Sequence, residues 1–155
     1  MSDQVEFPAG TREQLDVLFR ADRFLQVLGG ELEDWGGGWS RVRWSPREEH
    51  VNFIGVVHGG AVAAIADAAF AFASNSWGRV AVALSIDVHY LAAPRVGAEL
   101  IAEGRERSRR RRAGSYLIDV RSGDELVASL HSVAHRTDRW HLGDQAWPED
   151  WRSRY

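Results

Sequence analysis

The sequence predicts an α+β fold in which an antiparallel sheet curls around one long helix. Two observations carry this reading. Residues His58 to Ser76, HGGAVAAIADAAFAFASNS, are apolar on nearly every side of a helical projection and too long for a strand, which is the pattern of a helix buried all round. After Gly78 the period changes to two, with Val80, Val82, Leu84, Ile86, Val88 and Tyr90 alternating with Ala81, Ala83, Ser85, Asp87 and His89. Further extended runs follow at about 98–109, 114–121 and 125–136, the last two joined by Ser122-Gly123-Asp124 as a tight hairpin turn. A meander of long antiparallel strands after a buried helix gives the layered α+β arrangement.

The elements before that helix are shorter. Thr11 stands three residues before Gln14, a capping-box spacing, and Leu15, Leu18, Leu25 and Leu28 recur on one face until Gly29-Gly30, so one amphipathic N-terminal helix is expected. Glu31 to Ser45 reads as extended, with Gly36-Gly37-Gly38 as a turn, Trp39, Val42 and Trp44 partly buried, and Pro46 ending the run. Arg47 to Val57 has no period and reads as a loop leading into the helix. The alanines of that helix let other backbone approach closely. The chain thus divides into an N-terminal extension and helix (1–30), a sheet-and-helix domain (31–137) and a tryptophan-rich tail (138–155). Trp140, Trp147 and Trp151 are too apolar to stay in water as one patch, so the tail is expected to fold back onto the subunit or a neighbour.

With 155 residues, 45% hydrophobic and 26% charged, the chain has the size and balance of one globular domain. A domain of this length buries about 68 to 70% of the surface its unfolded chain exposes, enough to fold without a staple. The absence of cysteine excludes a disulfide framework, a thiol nucleophile and a cysteine-rich zinc site, and fits a reducing compartment. Met1 to Gly10 has no apolar core of an export signal, and no run approaches the roughly 20 apolar residues of a membrane span. A cytoplasmic protein with no membrane partner is expected. All 19 basic residues are arginine, yet the net charge is -3, which gives no reason to expect a nucleic-acid partner.

Three features of the central helix bear on chemistry. Asp67 is its only acidic residue, and a carboxylate within an apolar helix is costly unless it is paired, hydrogen-bonded or open to a cavity. It is either a structural aspartate bridging to another element, or a general base or nucleophile whose partial desolvation suits it to that task. Gly59-Gly60 offers unblocked backbone N–H groups at the positive end of a helix dipole, where a developing oxyanion would be stabilised. His58, just outside the helix start, is read first as hydrogen-bonded structure and second as a base. No serine sits in a G-x-S-x-G elbow, and no histidine and glutamate spacing suggests a metal.

Asn52, His58-Gly59-Gly60, Ala66-Asp67, Phe70, Asn75-Ser76, Ser85-Ile86-Asp87 and His135-Arg136 together resemble the PaaI-type hotdog acyl-CoA thioesterases, from about Gly30 to Thr137. The resemblance implies the hotdog fold, and a dimer or dimer of dimers with active sites between subunits. By that resemblance Asn52 and the Gly59 N–H hold and polarise the thioester carbonyl of an acyl-CoA, possibly an aryl-acetyl one. Asp67 from the partner subunit activates water or attacks, and Ser85 orients the carboxylate or the water. His58 and Gly60 flank that substrate position. Arg110, Arg111 and Arg112 are either a solvated turn or contacts to the CoA phosphates, for which guanidinium forks are suited, with Arg136 a further candidate. Arg110 departs from the family, which usually has glycine there. No cofactor is implied, since the substrate brings the CoA. The alternative is an acyl-CoA-binding or regulatory hotdog module without catalysis. The tail has no counterpart in the family, and covering the acyl pocket is its other reading.

Overall fold

The computed structural model describes residues 5–155. Its elements in chain order are α1 (Thr11–Arg20), α2 (Arg23–Leu28), β1 (Glu31–Gly36), β2 (Trp39–Trp44), α3 (Gly59–Asn75), β3 (Arg79–Tyr90), β4 (Leu100–Arg109), β5 (Ala113–Ser122), β6 (Glu125–Trp140) and α4 (Glu149–Arg154). The strands form one antiparallel sheet in the order β1-β2-β4-β5-β6-β3, and α3 packs across its concave face. This is the hotdog arrangement that the family resemblance implies.

The small residues of α3 do what their size permits. Ile65, Ala66, Ala69 and Ala73 are fully buried. Opposite them β4 carries Gly104, where an added Cβ would lie 2.9 Å from the Ala69 carbonyl oxygen and 3.3 Å from the Ala73 Cβ. Ser40 on β2 donates its hydroxyl to the same Ala69 carbonyl at 2.6 Å. Helix and sheet therefore meet backbone to backbone at this point. The β1–β2 turn is tied down in the same way, with Gly38 N–H donating to the Ser76 hydroxyl at 2.7 Å just beyond the end of α3.

The structure corrects the N-terminal region. The leucine spacing predicts one helix, but the chain breaks at Ala21 and restarts as α2, because Asp22 caps the second segment by accepting the Leu25 N–H at 2.7 Å. The capping box expected from Thr11 does not form. Gly10, at φ +73°, holds the cap position, and Thr11 is inside the helix with its hydroxyl donating to the Pro8 carbonyl at 2.7 Å. Leu15 and Leu25 are buried, whereas Leu18 is exposed.

The other departure is at the end of the sheet. β6 continues through Arg136 to Trp140, and its last residues pair with the start of β3. The tail then folds back, as its composition predicts. Trp147 lies against Gly78, Trp151 donates its indole N–H to the Trp77 carbonyl at 3.1 Å, and Tyr155 stacks on Trp77 at 4.2 Å. Phe7 closes the cluster against Trp151 and Trp35. Among the described residues no helix is long and apolar enough to cross a membrane.

β3 differs from the rest of the sheet. It is an edge strand, and Val82, Leu84, Ile86, Tyr90 and the following Leu91 are exposed along it. A bulge interrupts its pairing with β6 between Ala83 and Ser85.

Candidate active site

The start of α3 is organised by His58. Its backbone N–H donates to the His50 carbonyl at 2.7 Å, and its Nδ1 accepts the Gly60 N–H at 2.8 Å. Its carbonyl accepts the N–H groups of Ala61 and Val62 at 2.9 and 3.4 Å. Of the first four N–H groups of the helix, which no intrahelical carbonyl can satisfy, three are thus accounted for. Gly59 N–H is the one without a partner among the described residues. His58 is therefore the helix cap, an acceptor at Nδ1. Gly60, expected beside the substrate, has its N–H engaged.

Asn52 shapes the preceding loop. Its Oδ1 accepts the N–H groups of Ile54 and Val56 at 3.1 and 3.2 Å, and its own N–H donates to the Val56 carbonyl at 2.8 Å. A single bridge between Val51 and Val57 closes the base of this loop. Two backbone donors on one amide oxygen fix which way the side chain faces, so the Nδ2 hydrogens are left to donate elsewhere. Asn52 and Gly59 line the same groove, about 380 Å³ in volume, with Val57, Val62, Tyr90 and Leu91 forming apolar walls. The two donors expected to hold a carbonyl are brought together. The Tyr90 ring lies over Gly59, where an added Cβ would meet it at 3.1 Å and push the ring aside.

Asp67 is elsewhere. Eight residues along α3, at about 1.5 Å each, place it roughly 12 Å down the axis from Gly59, and it does not line the groove. Its carboxylate is exposed in the single subunit and makes no hydrogen bond or ion pair among the described residues. Partial burial beside the helices pushes its pKa above the usual carboxylate range, and the neighbouring Asp22 carboxylate pushes it further the same way. A bridging structural aspartate would show an intrasubunit partner, and none is present among the described residues.

The remaining expected residues are scattered. Ser85 follows the β3 bulge, exposed, paired by register with Val133 and not joined to Asp67 by a hydrogen bond within the subunit. Arg110, Arg111 and Arg112 form the exposed β4–β5 turn, closed by the Arg110 N–H donating to the Ala113 carbonyl at 2.7 Å. Arg112 faces Asp138 at 3.6 Å, whereas the guanidinium groups of Arg110 and Arg111 have no protein partner among the described residues. Arg136 is only 3% exposed, and it donates to the carbonyls of Arg110 and Tyr155 beneath the tail. In that position it holds the turn and the tail, and does not face solvent where a phosphate would lie. Tyr90 is the groove residue that the sequence reading passed over, because alternation on β3 accounts for it as an ordinary strand position.

Comparison with known proteins agrees with the fold. The profile of the thioesterase superfamily matches residues 54–129, which covers α3, β3, β4, β5 and the first residues of β6. A protein of Archaeoglobus fulgidus named as an esterase is 31% identical over 124 residues, spanning 79% of this chain and 80% of the relative. The acyl-coenzyme A thioesterase PaaI of Escherichia coli is 28% identical over 121 residues, spanning 77% and 86%. Among solved structures, a mutant of the phenylacetic acid degradation protein PaaI from Thermus thermophilus superposes with a TM-score of 0.73 at 35% identity, covering 75% of this chain and all of that one. The Escherichia coli PaaI structure superposes with a TM-score of 0.79 at 25% identity, covering 83% and 94%.

Proposed function

This chain belongs to the thioesterase superfamily as a hotdog-fold acyl-CoA thioesterase of the PaaI type, and from that premise we propose that two copies of it build each active site. The observation that carries the proposal is the separation of parts. Gly59 and Asn52 offer their donors to one groove, while the only unpaired carboxylate of α3 lies roughly 12 Å away along the helix. A general base must be within hydrogen-bond reach of the water it activates. Asp67 therefore serves a groove other than its own. The exposed edge of β3 supplies the contact, since an unpaired apolar edge strand is a template for pairing with another. Joining two such edges gives a dimer, which can pair again as a dimer of dimers.

In this assembly the thioester carbonyl of an acyl-CoA sits in the groove, with its oxygen toward the Gly59 N–H and Asn52 Nδ2. The partner's Asp67 takes a proton from water as the water oxygen bonds to the carbonyl carbon. Its raised pKa makes it a better base than an ordinary aspartate, and Ser85 orients the water. The tetrahedral intermediate collapses, breaking the C–S bond, and the sulfur leaves with the proton as free CoA. The reaction consumes only water and needs no cofactor or metal. We assign the nucleotide phosphates to Arg110 and Arg111, whose guanidinium groups are exposed and have no protein partner among the described residues, and an aryl-acetyl group to the groove walled by Tyr90.

Complementation tests the shared site. Asn52→Ala and Asp67→Asn subunits, each inactive alone, are co-expressed and purified together. About a quarter of wild-type CoA release is expected, since half the dimers are mixed and each mixed dimer has one intact site. If the mixture stays as inactive as its parents, the two residues do not act across an interface.

A further inference from the structure

We infer that the Tyr90 hydroxyl is a third donor to the oxyanion, beside Gly59 N–H and Asn52 Nδ2, an inference that rests on the thioesterase reading above. Tyr90 is the last residue of β3, fixed by its pairing with Ala128 on β6. From there its side chain crosses to the start of α3. The Cε1 and Cζ atoms lie 3.1 Å, and the hydroxyl oxygen 3.4 Å, from the point where a Cβ on Gly59 would stand. The hydroxyl end of the ring therefore rests on the first residue of the helix, whose N–H has no partner among the described residues.

The surroundings favour a donor role over simple packing. Val57, Val62, Leu91 and Ala92 make the adjoining groove wall apolar, so Tyr90 brings the only side-chain hydroxyl to this groove. It makes no hydrogen bond among the described residues. Tyr116 contrasts with it: buried on β5, it donates to a Glu106 carboxylate oxygen at 3.1 Å and packs against Phe70 as part of the core. A phenol that reaches over the helix start and has no protein partner among the described residues strengthens its hydrogen bond as negative charge develops on the acceptor.

The step balances without proton transfer from tyrosine. Water loses a proton to the partner's Asp67 as its oxygen bonds to the thioester carbon. The carbonyl π pair moves onto oxygen, which accepts hydrogen bonds from Gly59 N–H, Asn52 Nδ2 and the Tyr90 O–H. Collapse restores the C=O and expels the sulfur, which takes the proton from Asp67. Tyr90 keeps its own proton throughout.

The test is steady-state hydrolysis by Tyr90→Phe beside wild type, with thermal unfolding of both. Phenylalanine keeps the ring on Gly59, so the melting temperature should be unchanged. A kcat lower by about ten- to hundredfold at nearly constant KM is expected, because a donor that acts mainly in the transition state is lost. A variant kcat within twofold of wild type, or a loss confined to KM, overturns the inference while leaving the thioesterase reading intact. Absence of turnover by wild type itself would overturn both.

Discussion

At the residue scale, the isolation of Asp67 has opposite consequences for rate and for stability. Burial and Asp22 raise its pKa in the folded chain above the ordinary value of 3.8, so the folded state favours the protonated carboxyl relative to the unfolded state. Its contribution to stability is therefore most favourable at low pH and declines as pH rises through the raised value. Asp67→Asn carries no charge at any pH, and we expect it to melt at a higher temperature than wild type at neutral pH, with the difference shrinking on acidification. The rate runs the other way. A base works only when ionised, so wild-type kcat should fall on acidification with a midpoint above the ordinary aspartate range, as read from a pH–rate profile. His58 shows how a suggestive residue type can be structural, since its Nδ1 is occupied in capping the helix it precedes. That capping also settles which glycine is free to donate, a distinction the sequence does not contain.

At the element scale, the contact between α3 and β4 determines how closely the sheet can wrap. A side chain at Gly104 meets the Ala69 carbonyl oxygen, which cannot rotate away, and the Ser40 hydrogen bond holds that carbonyl in place. Gly104→Val should cost about 1 to 3 kcal/mol by overpacking, measured as a lowered denaturant midpoint with unchanged slope. α3 and β3 were legible in the sequence, the first as an alanine-rich run apolar on nearly every side and too long for a strand, the second by its period of two. The division of the N-terminal helix was not, because Leu15, Leu18, Leu25 and Leu28 keep a helical spacing across the break. The signal for the break was local, in the Asp22 side chain reaching the Leu25 N–H. The last residues of β6 were hidden for a different reason. Its pairing to Arg79 follows a bulge, and the residues around Arg139 lose strict alternation. Asn52 could be named only through its resemblance to a family, because a loop asparagine looks the same whether its Nδ2 is free or bonded.

At the scale of the whole molecule, the proposed mechanism makes the single chain half of a working unit. The groove with its donors and the carboxylate that must serve it lie on different parts of α3, and the face between them is bordered by an unpaired apolar strand. We expect sedimentation to give a dimer or a multiple of it. Leu84→Lys, at the exposed bulge of β3, should yield folded monomers that release no CoA, because a charge at that edge opposes pairing without touching the core. His58, Gly59 and Asp67 fall within ten residues of one another, and their separation was legible once that stretch was read as a helix, with the family resemblance already expecting Asp67 to act from the partner subunit. The rise of the helix sets Asp67 roughly 12 Å from Gly59. The most direct test of the central claim is release of free CoA from a panel of aromatic and straight-chain acyl-CoAs by wild type and Asp67→Asn. The account predicts turnover by wild type and a loss of about a hundredfold or more in kcat by the folded variant. Binding of the panel without hydrolysis, or a variant as fast as wild type, would contradict it and leave the pocket as a binding module.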